Sequence, residues 1–171
     1  KLYNTFSRKK EIIGSPSIPR LRSGLRANKI NLFVCGPTVY DFAHIGHART
    51  YIIFDAFVKF LRKSGFDVFY LQNITDIDDK IIARARERGV SPKALADAFA
   101  NDHLKSMKAL GINSVNKYAV TTKYIKEVIN QVARLLDKGF AYQIVEDGIY
   151  FDISMFADYG KLSGRTALQA E

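Results

Sequence analysis

The chain contains no tryptophan, only two methionines, four prolines and one cysteine, and no apolar run approaches the roughly 18–20 residues that a membrane span needs. A single cysteine excludes an internal disulfide and fits a reducing compartment, so Cys35 is either a packed small residue or a working thiol. The first 30 residues hold no apolar stretch of the signal-peptide kind, and a soluble, cytoplasmic protein with no membrane association is expected. No Gly-x-x-x-x-Gly-Lys-Ser/Thr sequence occurs, which excludes that type of phosphate-cradling loop. Acidic residues are scarce at the start: residues 1–29 carry eight Lys or Arg against Glu11 alone and supply most of the net charge of +9. Such an arm either attracts a polyanion by releasing counterions or serves as a solvated tail.

The 47% of hydrophobic residues in 171 suffices to bury one sizeable core and begin a second domain. Residues 14–24 hold two prolines and two glycines and read as a loop. Ile30–Cys35 is a short apolar run closed by Gly36-Pro37, the pattern of a strand buried on both faces. From Arg49 to Lys63 the chain is apolar almost all round and predicts a largely buried helix ending at Gly65. Asp67–Asn73 predicts a second strand, which makes residues 30–73 a βαβ unit with a parallel pair. Helices are expected over Ile77–Arg88, from Ser91-Pro92 to near Gly111, and over Thr122–Lys138, followed by a hairpin of Ala141–Val145 and Gly148–Ile153. The fold class is therefore α/β, a parallel sheet leading into a mostly helical region.

Three chemistry-bearing features fall at the carboxyl ends of the two proposed strands, where open parallel α/β sheets bind ligands. Cys35 closes the first strand. His44 and His47 lie in the turn and first helical residues after it, and Asn73-Ile74-Thr75-Asp76-Ile77-Asp78-Asp79 closes the second strand. Each feature has an ordinary structural reading: a packed thiol, a satisfied turn, and aspartates that cap a helix. Together they suit phosphate chemistry. Two imidazoles at a helix start, with Gly46 between them, could hold a triphosphate and offset charge that develops at phosphorus. Cys35 with His44 or His47 forms at most a partial metal set, and His103 reads as helix surface or core.

The run Cys35-Gly36-Pro37-Thr38-Val39-Tyr40-Asp41-Phe42-Ala43-His44-Ile45-Gly46-His47-Ala48-Arg49-Thr50 and the later Asn73-Ile74-Thr75-Asp76-Ile77-Asp78-Asp79-Lys80-Ile81-Ile82 closely resemble the signature segments of cysteinyl-tRNA synthetases. Leu2-Tyr3-Asn4-Thr5, Tyr150-Phe151-Asp152 and Tyr159-Gly160-Lys161-Leu162-Ser163 are similar to the same family. Residues 14–29 depart from it. The resemblance implies a Rossmann-type class I catalytic domain that joins cysteine to ATP, with Mg²⁺, and passes the acyl group to tRNA(Cys). It implies His44 and His47 as the catalytic, phosphate-holding pair, with Thr38 and Gly46 completing the ATP site. Cys35, Gly36 and Thr75 would lie on the cysteine side, Cys35 also as the first ligand of a Zn²⁺ that accepts the substrate thiolate and so rejects serine.

Other members of that family carry three more zinc ligands and a Lys-Met-Ser-Lys loop, neither of which is found in this sequence. The resemblance therefore implies an amino-terminal fragment, inactive by itself and monomeric. Its expected parts are a basic arm over 1–29, half of the nucleotide-binding domain over 30–114, and the start of a connective insertion over 115–171. Two rival readings are a mycothiol-pathway ligase that passes cysteine to an amino-sugar and a truncated, non-catalytic tRNA-binding homologue.

Overall fold

The computed structural model describes residues 1–12 and 29–164. The loop expected over 14–24 and most of the basic arm lie outside the described residues. In chain order the elements are β1 (Leu2–Asn4), β2 (Lys9–Glu11), β3 (Lys29–Val34), α1 (Ile45–Lys63), β4 (Asp67–Ile74), α2 (Asp79–Arg88), α3 (Pro92–Ala109), β5 (Lys117–Val120), α4 (Ile125–Asp137), β6 (Ala141–Ile144) and β7 (Gly148–Phe151). They group into two compact units, one of described residues 29–124 and the other of residues 1–12 with 125–164.

The larger unit is built on a parallel sheet of order β3-β4-β5, with Lys29 opposite Asp67, Val34 opposite Gln72, and Ile74 opposite Val120. Helix α1 is the crossover from β3 to β4, and α2 with α3 leads from β4 to β5. The βαβ unit thus forms as the apolar runs dictate, and Lys117–Val120 extends it with a third strand beyond residue 115, where the insertion was expected to start.

In β4 the side chains alternate as the strand period requires: Val68, Tyr70, Gln72 and Ile74 are buried, while Phe69 is exposed. The expectation that the first strand is buried on both faces does not hold, because Phe33 is 59% exposed. Nor is α1 buried all round: Tyr51, Asp55, Val58 and Leu61 form its one buried stripe, leaving Ile53 and Phe60 exposed. A single sheet face lies beneath it, so only the i, i+3, i+4 stripe finds a partner. A second apolar cluster of Val39, Ile74, Ile81, Ala85, Leu95, Ala96 and Phe99 joins the end of β4 to α2 and α3.

Polar side chains along the second half of α1 fix it to the loop before β5. Asp55 accepts from the N–H groups of Asn113 at 2.9 Å and Ser114 at 2.8 Å and pairs with Lys59 at 2.6 Å. Burial pushes its carboxyl up, but Lys59, Ser114 and Asn113 together outweigh that and hold it below the usual carboxylate range. Arg62 donates to the carbonyls of Val68 and Ser114 and to Asn116.

In the other unit, β1 and β2 pair antiparallel, so residues 2–11 form a short hairpin where an arm was expected. Asn4 explains it: its side chain accepts from the Phe6 N–H at 3.0 Å and donates to Glu11 at 2.9 Å, which closes the turn and clamps the strands. The third expected helix is shortened to Ile125–Asp137 by a 3₁₀ turn over Thr121–Tyr124. The hairpin β6–β7 forms with Tyr142 opposite Tyr150.

Candidate active site

The connection from β3 to α1 crosses the carboxyl end of β4. Thr75 N–H donates to the Pro37 carbonyl at 3.0 Å, Val39 N–H donates to the Thr75 carbonyl at 3.1 Å, and Gly36 N–H donates to Asn73 Oδ1 at 2.7 Å. This approach requires glycine, because a Cβ on Gly36 would lie 1.6 Å from the Asn73 carbonyl oxygen. Asn73 also donates to the Thr75 hydroxyl at 3.0 Å. Gly36, Thr38 and Thr75 are thereby held together at the strand ends.

His44 is the N-cap of α1, with extended backbone, and the two histidines form a reciprocal capping box. Gly46 N–H donates to His44 Nδ1 at 3.1 Å, and His44 N–H donates to His47 Nδ1 at 3.2 Å. The rings lie against each other with centroids 4.1 Å apart and planes tilted by 41°. Both Nδ1 atoms accept, so in each ring Nε2 is the remaining donor. Burial and then the neighbouring His44 push the His47 imidazole below its ordinary range.

Gly46 also has a packing role. A Cβ there would meet His44 Cε1 at 2.8 Å, so its missing side chain makes room for the folded-back imidazole. At the helix start the N–H groups of Gly46, His47 and Ala48 all donate to His44. What it offers an anion is the imidazole Nε2–H donors and the positive end of the helix dipole.

These histidines line a cleft of about 420 Å³ together with Gly36, Pro37, Thr38, Tyr40, Asp41, Phe42, Tyr51 and Lys80. Its outer wall is pinned by Asp41, which pairs with Arg84 at 2.5 Å and with Arg88 at 3.8 Å. The Phe42 N–H, and after it Arg84, holds the Asp41 carboxyl below the usual carboxylate range. Phe42 packs edge-on against Phe99 at 5.1 Å, and beyond it lies a second, mostly apolar cleft between α2 and α3. Tyr40, Asp41, Tyr51 and Lys80 were not singled out in the sequence. Tyr51 carried the one usable signal, since it follows His47 by four residues and so shares its helix face.

Cys35 is exposed, immediately before the first residue of the cleft, and its thiol reaches only the Gly36 carbonyl at 3.7 Å. Among the described residues no three His, Cys, Asp or Glu side chains gather as a metal site. One soft donor does not make a zinc site, so the residues present do not by themselves fit Zn²⁺. Asp76 is committed to Thr122, accepting from its N–H at 2.9 Å and from its hydroxyl, and Asp78 caps α2 through the Lys80 N–H at 2.9 Å. No helix among the described residues is long and apolar enough to cross a membrane.

Behind the cleft, the Tyr51 ring stacks on His47 and meets His103 edge-on at 5.5 Å. His103 is 2% exposed, and neither ring nitrogen has a hydrogen-bond partner among the described residues. Burial, followed by His47, pushes its imidazole from 6.5 down to about 4. Between those pH values the unfolded chain binds a proton that the folded chain excludes, so stability is full above about pH 6.5 and falls as pH drops. The expected loss approaches about 3 kcal/mol at pH 4. His103→Leu should remove this component, so the gap between variant and parent in urea unfolding widens from pH 7 to pH 4.5; parallel curves would contradict it.

Over residues 22–171 the sequence matches the family described as tRNA synthetases class I (C) catalytic domain. The chain belongs to that family. Among its curated relatives, the cysteine–tRNA ligase of Thermoplasma acidophilum is 51% identical over 97% of this chain and 34% of its own length. Those of Thermoplasma volcanium and Thermococcus kodakarensis are 47% and 45% identical over 96% and 95% of the chain. The chain thus spans about a third of the length of the curated relatives it matches. A solved Mycobacterium tuberculosis methionyl-tRNA synthetase in complex with methionyl-adenylate superposes with a TM-score of 0.59 at 27% identity, covering 66% of this chain and 23% of that one. The parallel sheet of this class I synthetase domain, with its cleft at the strand ends, agrees with that likeness.

Proposed function

We propose that the chain is the nucleotide side of a cysteine–tRNA ligase, which activates cysteine with ATP and passes it to tRNA(Cys). The observation that carries this reading is the cleft that two neighbouring imidazoles, both with Nε2 as the free donor, line together with Thr38 and Lys80 at the ends of a parallel sheet. In the proposed reaction a cysteine carboxylate oxygen bonds to the α-phosphorus of ATP and pyrophosphate leaves with the electrons of the broken bond. His44 and His47 donate from Nε2 to phosphate oxygens, acting more strongly as charge moves onto them. Gly46 keeps the His44 ring in place, and Thr38 and Thr75 offer hydroxyls to nucleotide and amino acid respectively. The relatives' printed names and their cover of nearly all of this chain support cysteine as the amino acid and tRNA as the acceptor.

Mg²⁺ accompanies ATP on this reading. Cys35 is a soft donor at the rim, and a Zn²⁺ ion there needs further ligands from outside this chain. The proposed organisation is a nucleotide-binding half-domain followed by the start of a connective insertion in the hairpin region, acting as a monomer in the reducing cytoplasm.

The test is cysteine-dependent ATP–pyrophosphate exchange and tRNA charging by the complete protein that carries this chain, with serine and methionine as competitors. Cysteine alone should support both reactions, while the chain by itself should support neither and bind Zn²⁺ weakly at best. Exchange driven by another amino acid, or tRNA binding without exchange, would overturn the reading.

A further inference from the structure

Lys80 is the lysine in the lining of the cleft, and the proposed chemistry leaves it without a task. Its ammonium lies 5.8 Å from the centre of the Tyr40 ring, and both residues line the cleft. Among the described residues no carboxylate pairs with it. Of the nearby acids, Asp78 caps the helix through the Lys80 N–H, Asp41 holds Arg84 and Asp76 holds Thr122. Asp79, beside Lys80 in the first turn, lies outside the cleft lining and forms no ion pair with it among the described residues.

The position of Lys80 in α2 sharpens the point. It is the second residue of a helix whose N-terminal end carries partial positive charge, where a cation is unfavourable and an anion is favoured. An ordinary surface lysine gains nothing there, whereas a lysine that meets a polyanionic ligand does. Among the described residues the cleft lining accordingly carries one ammonium outside any ion pair and two Nε2–H donors, while its one lining carboxylate, Asp41, is paired with Arg84.

We infer that Lys80 is a substrate-binding residue for the triphosphate of ATP, and for the pyrophosphate released from it, within the site proposed above. This inference rests on that reading of the cleft. The α-phosphorus gains the bond to the carboxylate oxygen, and pyrophosphate departs with the electron pair of its broken bridge. Lys80 donates hydrogen bonds to the anion on both sides of this step without giving up a proton. The Tyr40 face keeps the ammonium at the mouth of the cleft before the ligand arrives.

The test uses Lys80→Gln and Lys80→Arg in the complete protein, with circular dichroism to establish that both fold. Loss of a charge-assisted contact should raise KM for ATP and the inhibition constant of pyrophosphate together, by roughly 10- to 100-fold, with KM for cysteine and tRNA unchanged. Arginine should restore part of the loss. If the parent protein exchanges normally and Lys80→Gln leaves ATP and pyrophosphate unaffected, or changes only KM for tRNA, the inference is wrong while the cysteine-activation reading stands. If the parent shows no cysteine-dependent exchange, that reading fails, and calorimetric titration with inorganic triphosphate still decides for Lys80. Binding weakened at least 10-fold by Lys80→Gln supports the inference, and equal binding by both proteins overturns it.

Discussion

Replacing Gly36 with alanine is expected to cost this chain more than about 4 kcal/mol and to dismantle the cleft. The added Cβ would sit 1.6 Å from the Asn73 carbonyl oxygen and 2.7 Å from its carbon. Both are backbone atoms of β4, the middle strand, which is hydrogen-bonded to β3 on one side and β5 on the other. A flexible side chain could swing away, but this strand cannot. Relief therefore has to come from the Gly36–Val39 segment, whose backbone is bonded to Thr75 at Pro37 and Val39. Moving that segment also breaks the Gly36 bond to Asn73 and displaces Thr38, one wall of the cleft. Urea unfolding should show a strongly lowered midpoint at unchanged slope. An unchanged midpoint would mean that the crossing is looser than its hydrogen bonds indicate.

The second large effect concerns rate. In the complete protein, His44→Asn is expected to slow adenylate formation by roughly 10²- to 10³-fold while leaving thermal stability close to that of the parent. Asparagine is among the best N-cap residues, so its side chain can take the Gly46 N–H and keep the start of α1 intact. It cannot place a donor where the imidazole Nε2 stands. His47→Ala should slow the reaction similarly but also destabilise by about 1 kcal/mol, because it strips the His44 N–H of its acceptor. Pre-steady-state pyrophosphate exchange together with melting curves separates the two roles. Wild-type rates in His44→Asn would reduce the histidine pair to a helix cap.

What could be read from the sequence follows from the length and regularity of each signal. The βαβ unit was legible because β3 and β4 are short, mostly apolar segments and α1 between them is long. The third strand was not, since Lys117-Tyr118-Ala119-Val120 has four residues, opens on a lysine, and owes its place to pairing with β4. The hairpin of residues 2–11 escaped for the same reason: two three-residue strands depend on Asn4 and a left-handed Arg8, not on periodicity. Apolar residues all round α1 suggested full burial, but a sequence does not show how many surfaces will be available to cover a helix.

At the site, motif position placed the histidines and Gly36 at the strand ends. The geometry of the pair was hidden, since the usual N-cap signature is Ser or Thr followed by Glu or Gln, and here two imidazoles perform both halves of the box. Lys80 and Tyr51 were invisible for a simpler reason: lysines and tyrosines are common on helices, and only the fold shows which of them point into a cleft.

Every residue lining that cleft falls between Gly36 and Lys80, a stretch of consecutive chain that includes β4 and only the first turn of α2. Its defining contacts still span much of that stretch, since Gly36 and Asn73 lie 37 positions apart and meet only once β3 and β4 have paired in parallel across α1. During synthesis β3, α1 and β4 emerge before the rest of α2 and before α3, whose Arg84, Arg88 and Phe99 hold Asp41 and Phe42 at the outer wall of the cleft. The lining is thus complete in sequence before the residues that fix its outer wall have been made, and the two later helices set when the cleft takes its final shape.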